Sequence, residues 1–146
     1  MAITDTQIAE NKAIVSDAIS DVVSGGKFDR IDELYGSDLI NHRSAGEKLR
    51  GPAAFREWMA EVHVGFPDFE ATEEFSFCEG DMVASRLTYS GTHDREFMGI
   101  PATGKYVKVT GTTINRIEDD KIVESWPETD FLGVLQQVGV VDAPAN

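Results

Sequence analysis

The sequence predicts an α+β fold, with helices packed on one face of an antiparallel sheet. Three observations predict it. Up to Pro67-Asp68 the apolar residues recur at helical spacing. From Phe69 onward the period changes to two, and a single short apolar helix follows the last strand. Helices first and strands second argue for segregated layers rather than alternating units. The 146 residues match one ordinary domain, and no repeat, linker or low-complexity segment divides residues 1–146.

The first helix is expected over Thr4 to Ser24, with Ile8, Val15, Ala18, Ile19 and Val22 on one stripe. Thr4 and Gln7 have capping-box spacing, and Gly25-Gly26 is the stop. Lys27 to Tyr35 reads as a second, short helix. Asp38 to His42 reads as a short extended stretch, and Arg43 to Arg50 as a polar loop. Gly51-Pro52 opens a third helix with Pro in its first turn, and Phe55, Trp58, Met59, Val62 and Phe66 form its apolar face.

In the next segment Phe69, Ala71, Phe75 and Phe77 alternate with polar residues, and Glu73 breaks the pattern. After a turn at Glu79-Gly80-Asp81, Met82 to His93 reads as a strand, with Val83, Leu87, Tyr89 and His93 on one parity. Asp94 to Gly104 is a Gly-Pro loop. Lys105 to Glu118 is a long Val- and Thr-rich strand, and Asp119-Asp120 is a turn. Lys121 to Asp130 is the closing strand, Phe131 to Val138 the last helix, Gly139 its stop, and Val140 to Asn146 a frayed tail.

The end of that closing strand holds the main chemical candidate. Ile122, Trp126 and Asp130 share one parity, as do Glu124 and Glu128. A carboxylate in line with a tryptophan beside an apolar pocket suits a general base. An Asp before a helix is equally a favoured N-cap. Pro127 marks an edge or a bulge, and a bulge would reset the faces.

Composition narrows the function classes. The hydrophobic content of 41% allows a core. The net charge of −13, without a basic patch, argues against nucleic acid and anionic membrane surfaces. An acidic surface serves solubility, and it also suits high salt. No run reaches the roughly 20 apolar residues of a membrane span. Met-Ala-Ile-Thr-Asp does not open a signal peptide, so a cytoplasmic location is expected. The single cysteine, Cys78, fits a reducing compartment and reads as a half-buried strand residue.

No metal-ligand spacing, nucleotide loop or Gly-x-Ser-x-Gly elbow occurs. His63, at the border of the third helix's apolar stripe, reads as structural. Asn41 and His42, at the end of a short strand, are placed to reach a pocket. His93, at the strand end entering the Gly-Pro loop, is either a core histidine or a site residue. Trp58, Trp126, Phe66, Phe75, Phe77 and Tyr89 either line a cavity or fill a core. Arg86 and Arg95 either bind an anionic group or face solvent.

Several of these segments together carry a resemblance. Gly91-Thr92-His93, Phe97-Met98-Gly99-Ile100-Pro101-Ala102-Thr103-Gly104-Lys105, Asp120-Lys121-Ile122-Val123-Glu124-Ser125-Trp126, Asp130 and Leu135-Gln136-Gln137-Val138-Gly139 resemble the SnoaL-like polyketide cyclases, as does Phe66-Pro67-Asp68. The resemblance runs from about Ile8 to Gly139. It implies the nuclear-transport-factor-2-like (NTF2-like) cone, in which N-terminal helices pack on a strongly curved antiparallel sheet.

It also implies a cofactor-independent intramolecular aldol condensation on a small apolar, carbonyl-containing ligand. Asp130 would be the general base and His93 the assisting donor or orienting group. Asn41, His42, Trp58, Phe66, Tyr89 and Trp126 would contact substrate, without metal or cofactor, in a homodimer built through the outer sheet face. Arg95 stands where the family usually has a small residue, and Ala102 where Pro is common. A hydrolase, dehydratase or isomerase on the same fold, or a non-catalytic small-molecule-binding module, are the alternative readings.

Overall fold

The computed structural model describes residues 3–44 and 46–142. Helix α1 spans Asp5–Asp17 and runs on as a π-helical segment, Ala18–Ser24. Thr4 caps it by accepting from the Gln7 N–H at 3.1 Å. The reciprocal half of the capping box is not made, because the Gln7 amide turns instead to Asn11. The expected second helix divides into a 3-10 turn, Phe28–Arg30, and α2, Ile31–Leu34. Tyr35 already belongs to strand β1, Tyr35–Asn41, which starts three residues before the expected stretch. The polar loop after it contains a further two-residue strand, β2, Leu49–Arg50. Helix α3 covers Pro52–Gly65, with Phe66 at its C-cap.

The meander follows as β3 (Glu70–Glu79), β4 (Met82–Thr92), β5 (Tyr106–Glu118) and β6 (Lys121–Thr129), then α4 (Phe131–Gln137). Asp119 and Asp120 both take positive φ, the geometry of a tight hairpin turn. The strand order is β2-β1-β6-β5-β4-β3. The sheet is mixed rather than wholly antiparallel, because β1 lies parallel to β6. A meander cannot supply that pairing. It arises because β1 enters from the helical half and docks on the edge that β6 leaves open.

The ladders shift register in three places, once on β1 between Tyr35 and Ile40 and at two bulges that decide which side chains face the helices. One lies between Glu73 and Phe75 on β3. It turns Phe75 and Phe77 to the outer face, where they are 56% and 69% exposed. Neither lines an inner cavity, which corrects the alternation read from sequence. The other follows Ile122 on β6, where Arg116 opposes Glu124 but Ile117 opposes Ile122. The bulge is therefore at Val123 and not at Pro127. It leaves Ile122, Ser125, Pro127 and Thr129 inside and puts Glu124, Trp126 and Glu128 outside. On β5, Val107, Val109, Thr113, Asn115 and Ile117 are buried on the inner parity.

The core between sheet and helices includes Val15, Val22, Ile31, Leu39, Met59, Val83 and Leu87. His63 is structural, as read: its Nε2 donates to the Val23 carbonyl at 2.9 Å, edge-on to Phe28 and Phe69. Cys78 is a half-buried thiol packed against the core. No described helix is long and apolar enough to cross a membrane. The expected frayed tail falls partly on residues 143–146, outside the described residues.

Candidate active site

Between the concave sheet face and helices α1 and α3 lies a cavity of about 160 Å³. Its wall is mainly apolar, with Met59, Val62, Leu87, Val107 and Val109 among the lining residues. Four of the residues expected from sequence are on it: Asn41, Trp58, Phe66 and Tyr89. The Gly-Pro loop after β4 adds Phe97, which packs against Phe66 and Trp58 at ring-centroid distances of 5.2 and 5.7 Å. A Cβ at Gly65 would come within 2.8 Å of the Phe97 Cβ, so glycine there admits the loop.

One strip of the wall is polar. Asn41 on β1 pairs in register with Ser125 on β6, and Ser125 with Asn115 on β5. All three line the cavity, as does Thr113 two residues before Asn115. The Ser125 hydroxyl donates to Asn115 Oδ1. Asn41 makes no side-chain hydrogen bond among the described residues, and its buried Oδ1 has no partner. A buried amide without a partner costs free energy in the empty protein. It is positioned to bind a polar atom that enters.

Two phenols complete the polar inventory. Burial pushes the Tyr89 phenol up to about 12, with a hydrogen bond to Thr129 opposing. Burial also drives the Tyr35 phenol well above its ordinary value. Both are neutral hydrogen-bond donors at ordinary pH.

At the mouth, Arg43, Ser44, Thr129 and Phe131 line the wall and keep exposure. The Thr129 N–H points to Ser44 Oγ at 3.5 Å, joining the loop after β1 to the end of β6. Asp130 sits on the rim between Thr129 and Phe131. Its side chain caps α4, accepting from the Gly133 N–H at 2.8 Å, and the residue is exposed. The cap role weighed from sequence is therefore present. Asp130 does not share a face with a cavity-lining Trp126.

Three expected site residues stand elsewhere. His42 lies just past β1 on the outer face, with its Nε2 2.6 Å from Glu124 Oε2. Its ring stacks on Trp126 at 5.2 Å and 2°. The pair sits outside because of the β6 bulge, and neither ring lines the cavity. The His42 hydrogen bond, ahead of Arg116, holds the Glu124 carboxyl below its usual range.

His93 is 1% exposed and lies behind the wall rather than on it. Its ring packs on Phe66 at 5.4 Å, Nδ1 hydrogen-bonds with Thr103 Oγ1 at 3.0 Å, and Nε2 has no partner. Arg95 is exposed and off the cavity. Among the described residues, no group of three acids, histidines or cysteines is close enough to hold a metal ion.

Sequence reasoning missed Asn115, Ser125, Arg43 and Phe97. Asn115 was detectable as a polar residue on the apolar parity of β5. Ser125 was not, since its face depends on the bulge.

The family model described as SnoaL-like polyketide cyclase matches residues 13–138. The chain is 31% identical over 119 residues to aklanonic acid methyl ester cyclase DnrD of Streptomyces peucetius, covering 78% of this chain and 81% of that protein. It is also 31% identical over 119 residues to aklanonic acid methyl ester cyclase DauD of Streptomyces sp. (strain C5), covering 78% and 73%. Among solved structures, one from Jannaschia sp. CCS1, described as a SnoaL-like polyketide cyclase, superposes with a TM-score of 0.86 at 22% identity over 99% of this chain and 100% of that one. At that identity it shows the fold alone, the NTF2-like α+β cone. IdmH of Streptomyces antibioticus, described as a polyketide cyclase, gives 0.74 at 29% identity over 90% and 97%.

Proposed function

The chain belongs to the SnoaL-like polyketide cyclase family, and from that premise we propose that it closes a ring in a polyketide-like substrate by intramolecular aldol condensation, without a cofactor. The observation that carries this reading is the polar strip Asn41–Ser125–Asn115 in an otherwise apolar cavity, with a carboxylate on its rim.

In the proposed reaction, Asp130 takes a proton from a carbon flanked by carbonyls, a C–H that is already acidic. The resulting enolate attacks a second carbonyl of the same molecule. A carbon–carbon bond forms, and the new alkoxide recovers the proton. To act, the Asp130 carboxylate leaves the Gly133 N–H, at about the 1 kcal/mol of an N-cap. That is small against the 10²–10⁴-fold a positioned base contributes. The amide groups of Asn41 and Asn115 and the phenols of Tyr35 and Tyr89 offer donors where charge develops. The apolar wall holds the chain in a folded, reactive conformation. His93 acts as a positioning residue, fixing Phe66 from behind.

The test is to incubate the chain with aklanonic acid methyl ester, the compound in the names of DnrD and DauD, and with related poly-carbonyl aromatics. Ring closure is followed as a change of retention without change of mass. Closure faster than in buffer supports the reading. Failure with every such substrate contradicts it.

A second reading is favoured by the same polar strip. An ordered water needs two to four polar partners, which the strip supplies, so Asp130 could activate water instead. Incorporation of labelled oxygen from water into product would identify that hydrolytic course. A non-catalytic binding module would show ligand binding with no turnover and a purely structural Asp130. For assembly, the outer-face pair Phe75 and Phe77, with ring centroids 5.7 Å apart, supports a homodimer through that face. A monomeric mass by light scattering would contradict it.

A further inference from the structure

We propose that Arg43 recognises an ionised carboxylate on the ligand, so that the group held at the cavity mouth is a free acid and not an ester. The proposal deepens the cyclase reading, because it rests on this cavity being the substrate site.

Arg43 is the one charged side chain among the described residues that line the cavity. Its guanidinium lies over the Trp58 ring, 4.7 Å from the centroid. Its Nε donates to the Glu47 carbonyl at 3.2 Å. These two contacts fix the plane of the group. A Cβ at Gly46 would come within 2.5 Å of Nη2, so the loop leaves room for the guanidinium in this position. The two terminal nitrogens have no acceptor among the described residues.

No described carboxylate forms an ion pair with it, which is equally true of Arg50, Arg56, Arg86 and Arg95, but none of those four lines the cavity. What sets Arg43 apart is its place on the cavity wall with both terminal nitrogens available, which makes it a site for an anionic group of the ligand. Asp130, on the same rim, caps α4 through one oxygen and forms no ion pair with Arg43.

The chemistry selects the ligand. A guanidinium fork with both terminal groups available matches a carboxylate in two parallel, charge-assisted hydrogen bonds. The aromatic face below it suits the ring system to which that carboxylate is attached. The methyl esters in the names of DnrD and DauD lack that charge.

The experiment is calorimetric titration of the full chain with 2-naphthoate and, separately, with methyl 2-naphthoate. The wild type is expected to bind the acid about tenfold more tightly than the ester or better. Arg43→Gln should bring the two within about twofold by weakening the acid alone, and Arg43→Lys should keep part of the preference because it keeps the charge but not the fork. Equal binding of the two probes, a preference that survives Arg43→Gln, or no binding of the acid would overturn the proposal. If Arg43→Gln fails to fold, Arg43→Lys carries the test, and an undiminished preference there is the overturning result. An acid preference without ring closure contradicts the cyclase reading alone. Cyclisation of a free-acid substrate undisturbed in a folded Arg43 variant contradicts this proposal alone.

Discussion

Asn41 of β1 and Asn115 of β5 stand on either side of Ser125 in one register line across three strands. The line crosses a wall that is mainly apolar, and Asn41 Oδ1 lies in it without a partner. An unsatisfied buried amide is a cost to stability of about 1–3 kcal/mol. Asn41→Leu is therefore expected to leave the urea-unfolding free energy unchanged or raise it by about 1 kcal/mol. Turnover should fall by about 10²-fold, the loss seen when one donor to a developing oxyanion is removed. A variant that loses stability and keeps its rate would place the amide in the scaffold instead.

The two tryptophans should respond differently to ligand. Trp58 lines the cavity, while Trp126 stacks on His42 outside. Cavity binding is expected to change the fluorescence of Trp58 and not of Trp126, measured in Trp126→Phe and Trp58→Phe variants. A ligand signal confined to Trp126 would put the binding site on the outer face.

The α+β order, the four helices and the meander were legible in the sequence because periodicity reports which elements form. Sidedness was legible only on stretches of strand that no bulge interrupts. The extra residue at Val123 exchanges the faces of β6, so Trp126 leaves the site and Ser125 enters it. The irregularity on β3 does the same to Phe75 and Phe77. Neither bulge carries a glycine or proline of its own; both follow from how strands of unequal curvature keep their ladders. Tyr89 lines the cavity on the parity read for β4, whereas Asn41 and His42 were offered together and only Asn41 lines it, on a strand whose register shifts just before it. Arg43 was missed because a loop has no period.

Gly133→Ala is expected to unseat the Asp130 carboxylate at little cost. The added Cβ would lie 2.8 Å from the Asp130 Cγ, so the carboxylate must turn away. Loss of the cap costs about 1 kcal/mol. Alanine in place of glycine in a helix returns up to about 1 kcal/mol. The midpoint of thermal unfolding should therefore move by no more than a few degrees. A large drop would mean that the cap does more for the fold than its one hydrogen bond.

Asp68 gives a pH-dependent test of the β4 terminus. Its carboxylate accepts from the Thr92 N–H at 2.6 Å and the Thr92 hydroxyl at 2.8 Å, which hold its carboxyl below the ordinary range, the backbone bond most. A depressed carboxyl contributes stability above its unfolded pKa and loses it as pH falls through the folded one. Asp68→Ala should cost about 1 kcal/mol near neutral pH, allowing for its exposure. The difference between wild type and variant should shrink below about pH 4. A difference that grew on acidification would have the wrong sign.

The central claim, that the rim carboxylate is the base, is tested most directly by turnover and stability of Asp130→Asn on a substrate the wild type cyclises. Asparagine caps a helix as well as aspartate does, so the substitution separates the two roles of this side chain. The account predicts unfolding free energy within about 0.5 kcal/mol of wild type and a fall in turnover of about 10²-fold or more. Full turnover by a stable Asp130→Asn protein would contradict it and leave Asp130 as the cap of α4 alone.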